Sequence, residues 1–139
     1  MLNLADKDTH GLLNIRVYIE DTDAGGIVYY VNYLKYLERA RTEYIRSIGH
    51  EKAAIFDDKI LFVVHSLKIN YRSPGFLDDL ITVYTKTEKI SKVAILFKQK
   101  IFRDRELLID ADVKIVSVGV DNKKITLMPK SLIDLLKNF

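Results

Sequence analysis

From Asn14 the chain alternates, with Ile15, Val17 and Ile19 set against Asn14, Arg16, Tyr18 and Glu20. That is the rhythm of a strand with one covered face. It stops at Asp21-Thr22-Asp23-Ala24-Gly25-Gly26, a loop by composition. The period then changes. Tyr33, Leu37, Ala40, Tyr44 and Ile48 fall at i, i+4, i+7, i+11 and i+15, an apolar stripe that predicts a helix over 32–48. Asn32 is placed to cap its start and Gly49 to stop it. Arg39 and Glu43 sit four apart on its outer side, close enough to pair.

The strand rhythm returns from Leu61 to Val120. Leu61, Val63, His65, Leu67, Ile69 and Tyr71 share one parity, and Ser73-Pro74-Gly75 ends the run. Leu80–Thr87 and Val93–Phe102 follow, then a polar turn over Arg103–Glu106. Next, Leu107, Ile109, Ala111, Val113 and Ile115 alternate with Asp110, Asp112 and Lys114. A turn over Asp121–Lys124 leads to Pro129–Phe139, which reads as a short amphipathic helix with proline near its start. The order is strand, helix, four strands, short helix. Short connections make the later strands antiparallel neighbours, so the expected fold is α+β: one long helix on a five-stranded antiparallel sheet. Asp110, Asp112 and Lys114 cannot lie against that helix, so the sheet's other face is wet or meets a partner.

Composition narrows the chemistry. The 139 residues include no cysteine, which excludes disulfide scaffolds, cysteine-ligated metals and cysteine nucleophiles. His10, His50 and His65 come from unrelated segments, a poor basis for a three-histidine metal site. The net charge of +3 is spread among interleaved acids and bases, which does not call for nucleic acid. Residues 1–13 carry Asp6, Lys7 and Asp8 where a leader would be apolar. They are expected to form a flexible N-terminal segment before a single domain over 14–139. No run approaches the ~20 apolar residues of a membrane span, so the expectation is a cytoplasmic protein without membrane insertion.

The odd segment is Asp21–Tyr36, DTDAGGIVYYVNYLKY, with two carboxylates, two adjacent glycines and four tyrosines between a strand end and a helix start. Gly25 and Gly26 allow close ligand approach. The first N–H groups of a helix lack intrahelical partners and carry the positive end of its dipole, so they could stabilise the oxyanion formed from a carbonyl. A nearby carboxylate could activate water or attack directly. Together these describe acyl transfer to water. The plainer reading is that Asp21 or Asp23 satisfies loop N–H groups, that the tyrosines are core, and that Glu38 and Glu43 are helix-surface partners. His65, on the apolar parity of its strand, reads first as a core histidine and second as a catalytic one, and it could line a pocket.

The stretch VYIEDTDAGGIVYYVNYLKYLERARTEYIRSIG, Val17–Gly49, closely resembles the YbgC-type acyl-CoA thioesterases, in the 4-hydroxybenzoyl-CoA thioesterase branch of the hotdog superfamily. The pattern D-T-D-x-x-G-x-V-Y followed by Y-L-x-Y-x-E-x-A-R-x-E carries the resemblance, which continues more weakly through Phe62–Ile81 and Leu127–Leu136. It implies a hotdog fold, a curved antiparallel sheet wrapped around a long central helix. It also implies a homo-oligomer, a dimer joined through the Leu61–Tyr71 strands or a dimer of dimers, with active sites between subunits.

Carried over by position, the resemblance makes Asp23 the catalytic carboxylate, nucleophile or general base, and the backbone N–H of Tyr30 the group that polarises the thioester carbonyl. It places Lys92, with Lys89 and Arg72, at the phosphates of coenzyme A. Gly26, Tyr33 and His65 complete the expected substrate-binding set. It implies neither metal nor cofactor. Many relatives have histidine where this chain has Tyr30. A main-chain role survives that change, and an imidazole role does not. Two other classes stay in view. A hotdog hydratase or dehydratase would use a histidine beside the helix start, and residues 11–49 contain none. A non-catalytic protein binding acyl-CoA or acyl carrier protein would not need the intact DTD and GG. A catalytic Glu38 or Glu43 would borrow from other hotdog branches. Short, aromatic and longer acyl groups, on coenzyme A or on acyl carrier protein, all fit the sequence.

Overall fold

The computed structural model describes residues 11–49, 55–56 and 59–138. Strand β1 (Leu12–Arg16) leads through a 3-10 turn at Ile19–Asp21 to helix α1 (Asn32–Ser47). Strands β2 (Ile55–Phe56), β3 (Ile60–Tyr71), β4 (Leu80–Ile90), β5 (Ala94–Arg103) and β6 (Glu106–Gly119) follow, and helix α2 (Lys130–Lys137) closes the chain. The sheet is antiparallel, in the order β1-β4-β5-β6-β3-β2. The five expected strands are all present, curved around the helix. The two-residue β2 adds a sixth in a stretch where the sequence pattern assigns nothing. Residues 1–10 of the expected flexible segment, and His50, lie outside the described residues.

The apolar stripe of α1 lies against the sheet. Tyr33, Leu37, Ala40, Tyr44 and Ile48 are all buried, joined by Tyr36 and Ile45. The sheet answers with rows of inward side chains fixed by register. Val83, Ile101 and Ile109 form one row and Thr85, Gln99 and Ala111 the next. Leu132 and Leu136 of α2 are fully buried. Completely burying a leucine side chain contributes about 1.5–3 kcal/mol.

Three local expectations are corrected. The first strand ends at Arg16, not Glu20: the chain turns into the 3-10 segment and leaves Ile19 exposed. The helix cap is Val31, and Asn32 is the first helical residue, with its side chain engaged elsewhere. Glu43 pairs with Arg46 on the next turn, not with Arg39. The stop at Gly49 holds, at φ +113, where a Cβ would be strained.

The single parity of Leu61–Tyr71 also fails, for a clear reason. Val64 pairs with Ile115 and Ser66 with Lys114, leaving His65 as the extra residue of a β-bulge. One inserted residue moves every later side chain to the opposite face. Leu67, Ile69 and Tyr71 therefore share the inner face with Val64, while Leu61 and Val63 face out. His65 is exposed and is neither a core histidine nor part of the cavity described below.

Candidate active site

Between β1 and α1 the chain folds back on itself. Thr22 bridges to Val28, the Asp23 N–H donates to the Ile27 carbonyl (2.9 Å), and the Gly26 N–H returns to the Asp23 carbonyl (3.1 Å). Gly26 closes this turn at φ +79, a conformation an L side chain resists. The small hairpin is tied to the 73–79 loop: Val28 N–H donates to the Gly75 carbonyl and Ile27 bridges to Phe76. Arg103 fastens that loop by pairing with Asp79 at 2.7 Å and lying over the Phe76 ring. A Cβ on Gly75 would press on Val28 and on the Tyr33 hydroxyl, so the close approach of loop and helix depends on that glycine.

The two carboxylates of D-x-D have different surroundings. Asp21 is saturated. Its Oδ2 accepts from the Tyr18 N–H (2.9 Å) and its Oδ1 from the Asn32 side-chain amide (2.8 Å). Asp23 is exposed. Its Oδ1 accepts from the Gly25 N–H at 2.8 Å, and its other oxygen accepts nothing among the described residues. A carboxylate oxygen held on one side and open on the other can attack or take a proton.

Beside the hairpin lies a cavity of about 280 Å³ lined by Ile27, Val28, Tyr30, Tyr33, Tyr71, Arg72, Ser73 and Pro74. Its walls are aromatic. Tyr30 meets Tyr71 edge-on with ring centres 6.2 Å apart, and Tyr33 meets Tyr71 at 5.8 Å. The Tyr71 hydroxyl donates to the Tyr30 carbonyl (3.2 Å). The Tyr33 hydroxyl accepts from the Gly75 N–H (2.9 Å), and burial raises its pKa. The Tyr30 N–H itself donates to no group among the described residues, just ahead of the first turn of α1.

The expected site residues are therefore brought together in part. Tyr30, Tyr33 and Arg72 line the cavity, and Asp23 and Gly26 sit in the hairpin whose Ile27 also lines it. Arg72 is partly engaged by Asp110 at 3.0 Å. Lys89 and Lys92 lie at the other end of the sheet. Lys89 shares a row with Leu96, Lys114 and Ser66, whereas Tyr71 pairs with Ile109. From Ile109 to Lys114 is about 17 Å along the strand. One chain does not bring these lysines to the cavity. Sequence reasoning missed Tyr71, which it placed only on the apolar parity of its strand, and it read Asn32 as a cap.

Comparison with known proteins follows the same outline. The model of the thioesterase superfamily (4HBT) matches residues 25–109. An acyl-CoA thioesterase YbgC of Haemophilus influenzae is 40% identical over 119 residues, spanning 85% of this chain and 88% of its own. An acyl-CoA thioester hydrolase YbgC of Escherichia coli is 36% identical over 120 residues, 86% of this chain and 90% of its own. Among solved structures, a probable thioesterase from Bartonella henselae superposes with a TM-score of 0.76 at 31% identity, covering 85% of this chain and 96% of that one.

Proposed function

The chain belongs to the thioesterase superfamily, and from that premise we propose how it hydrolyses acyl-CoA thioesters: Asp23 is the catalytic carboxylate and the Tyr30 N–H is the oxyanion donor. One observation carries the reading. The two groups left open at this corner, the second oxygen of Asp23 and the Tyr30 N–H, are the pair that acyl transfer needs: Tyr30 lines an apolar cavity, and Asp23 sits in the hairpin whose Ile27 lines it too.

The acyl group sits among the tyrosines with its carbonyl oxygen toward the Tyr30 N–H. Asp23 then either takes a proton from water, which adds to the carbonyl carbon, or adds directly to give an anhydride that water opens. In both routes the C–S bond breaks and coenzyme A leaves as its thiol. A preorganised donor at the developing oxyanion contributes most where water is excluded, and the edge-packed rings of Tyr30, Tyr33 and Tyr71 supply that apolar wall.

The reading extends to a second copy. Val63, Val64, Leu67 and Tyr71 of β3 are exposed, and beyond Leu61 its outer edge is unpaired among the described residues. A bare edge with apolar side chains invites strand pairing. Antiparallel pairing of two β3 edges would lay the partner's Lys89 and Lys92 end beside this chain's Arg72 end, where the phosphates of coenzyme A would need cations. A dimer, or a dimer of dimers, completes the site in this reading. A cytoplasmic place goes with it, because coenzyme A thioesters are intracellular substrates. No helix among the described residues is long and apolar enough to cross a membrane. Acyl carrier protein is the alternative carrier.

The test is thiol release from acetyl-, butyryl-, benzoyl- and palmitoyl-CoA. The chain has no cysteine, so every thiol counted is product. Asp23→Asn should lower kcat by at least about 100-fold, roughly 3 kcal/mol. Near-normal turnover in that variant removes Asp23 from the chemistry. For assembly, Leu67→Lys should shift the protein to monomer on light scattering and lower kcat/KM. Unchanged mass and rate would remove the partner from the site.

A further inference from the structure

We propose that Asp21 and Asn32 are a positioning pair whose task is to aim the Tyr30 N–H, an inference that rests on the oxyanion reading above. The argument is a closed ring of hydrogen bonds around one residue. The Tyr29 N–H donates to the Asp21 backbone carbonyl (2.8 Å), and the Tyr29 carbonyl accepts from the Asn32 backbone N–H (2.8 Å). The ring is closed by the side chains of the same two residues, Asn32 Nδ2 donating to Asp21 Oδ1 at 2.8 Å. Tyr29 is thus gripped at both ends by residues that also grip each other.

The consequence falls on Tyr30. The Tyr29 carbonyl and the Tyr30 N–H belong to one planar trans peptide and point in opposite directions. Holding the carbonyl therefore fixes the line along which the N–H projects. The next peptide is held as well, by the Tyr71 hydroxyl on the Tyr30 carbonyl. Every polar main-chain group from Tyr29 N to Tyr30 O has a partner except the one N–H that the reaction would use.

The Asn32 amide faces the Asp21 carboxylate, with the buried Tyr36 hydroxyl close to both. Asn32 is 8% exposed and is the first residue of α1, one position after the cap, where its side chain caps nothing. Its side-chain amide makes a single hydrogen bond, to Asp21. Asp21 in turn must be an acceptor at both oxygens, because Tyr18 N–H takes the other. An asparagine at 21 could satisfy only one of these donors. This assigns the two acids of D-x-D different tasks: Asp23 touches the substrate, and Asp21 acts through Asn32 and Tyr29 on the oxyanion donor.

The experiment uses the full chain, butyryl-CoA and benzoyl-CoA as probes, and a thermal melt for every variant. Asn32→Leu and Asp21→Asn should each lower kcat by about 10- to 100-fold, the range for a misaimed donor, with KM within about threefold. The swap Asp21→Asn with Asn32→Asp rebuilds the pair in reverse. The amide at 21 then accepts from Tyr18 N–H and donates to the carboxylate at 32, and most of kcat should return. Full-rate single variants overturn the proposal. So does a loss that falls equally on KM and on the melting point and is not recovered by the swap, because that is plain structural damage. Should Asn32→Leu fail to fold, the swap still decides, since recovery requires the pair and not the particular residues. Asp23→Asn in the same assay separates the two levels. If it stays active, the site reading falls and this inference with it. If it is dead while the single variants run at full rate, only the pair's role falls.

Discussion

Helix α1 meets polar side chains at two places, and they use their hydrogen bonds differently. Halfway along, Gln99 reaches up from β5. Its amide donates to the Leu37 carbonyl and to the Thr85 hydroxyl, both at 2.9 Å, and its oxygen accepts from Arg41 at 3.0 Å. All three side chains are buried, and burial lowers the pKa of the Arg41 guanidinium. At the N-terminus, Asp21 and Asn32 are equally committed, but one oxygen of Asp23 and the Tyr30 N–H are left open, and Tyr30 lines a cavity. A buried polar group left unpaired costs more than a paired one contributes. The middle cluster therefore acts on stability, and the terminal corner, where water or substrate can complete the set, is available for chemistry.

Two substitutions should pull these regions apart. The largest effect belongs to Asp23→Asn. Its Oδ1 still accepts from the Gly25 N–H, so the hairpin survives and the melting point should hold while kcat falls by at least about 100-fold. A melting point that falls with kcat would mean that Asp23 is a loop fastener instead. Gln99→Leu should do the reverse. It strands the Arg41 guanidinium and the Thr85 hydroxyl away from water, while the Leu37 carbonyl keeps its helical bond, at a cost of about 3 kcal/mol. For a domain of this size that is a fall of about 10 °C in Tm. The kcat of the protein that remains folded should be unchanged. A kcat loss at temperatures where the variant is fully folded would show that the two regions are coupled along α1.

The same comparison shows what a sequence carries. The stripe Tyr33–Leu37–Ala40–Tyr44–Ile48 was legible because helix period and burial coincide, and the segment 21–36 was legible because its composition is unusual for a strand-to-helix loop. The exit at Arg16 was not, since Ile19 keeps the alternation after the backbone has left the sheet. The bulge at His65 was hidden for a related reason. Apolar residues lie on both parities of β3, so nothing in the pattern marks the slip. The Asp21–Asn32 pair is hidden because an asparagine at a helix start reads locally as a cap, whereas its partner lies eleven positions back. Lys89 and Lys92 looked like neighbours of Arg72 as cations. Their separation is a matter of strand register, which the order of residues does not state.

Tyr36 tests the boundary between the two regions with the smallest effect. Its ring is fully buried beneath the Asp21–Asn32 pair, and its hydroxyl has no hydrogen-bond partner. Burial and the neighbouring Asp21 charge push its pKa well above the ordinary 10.0. The folded state thus holds the phenol neutral past the point where an unfolded chain would ionise it. Its contribution is complete below pH 10 and is lost as pH climbs from there toward the raised value. Tyr36→Phe removes the unpartnered hydroxyl and keeps the ring. At neutral pH it should be neutral or stabilising by about 1 kcal/mol, a rise of up to about 4 °C in Tm. Above pH 10 the variant should lose less stability than the parent, with Tyr33, also raised by burial, accounting for part of what is still lost. A clear fall in Tm at neutral pH would mean that the hydroxyl is bonded to Asp21 or Asn32 in solution, and the open corner would then reach one turn deeper into α1 than its hydrogen bonds indicate.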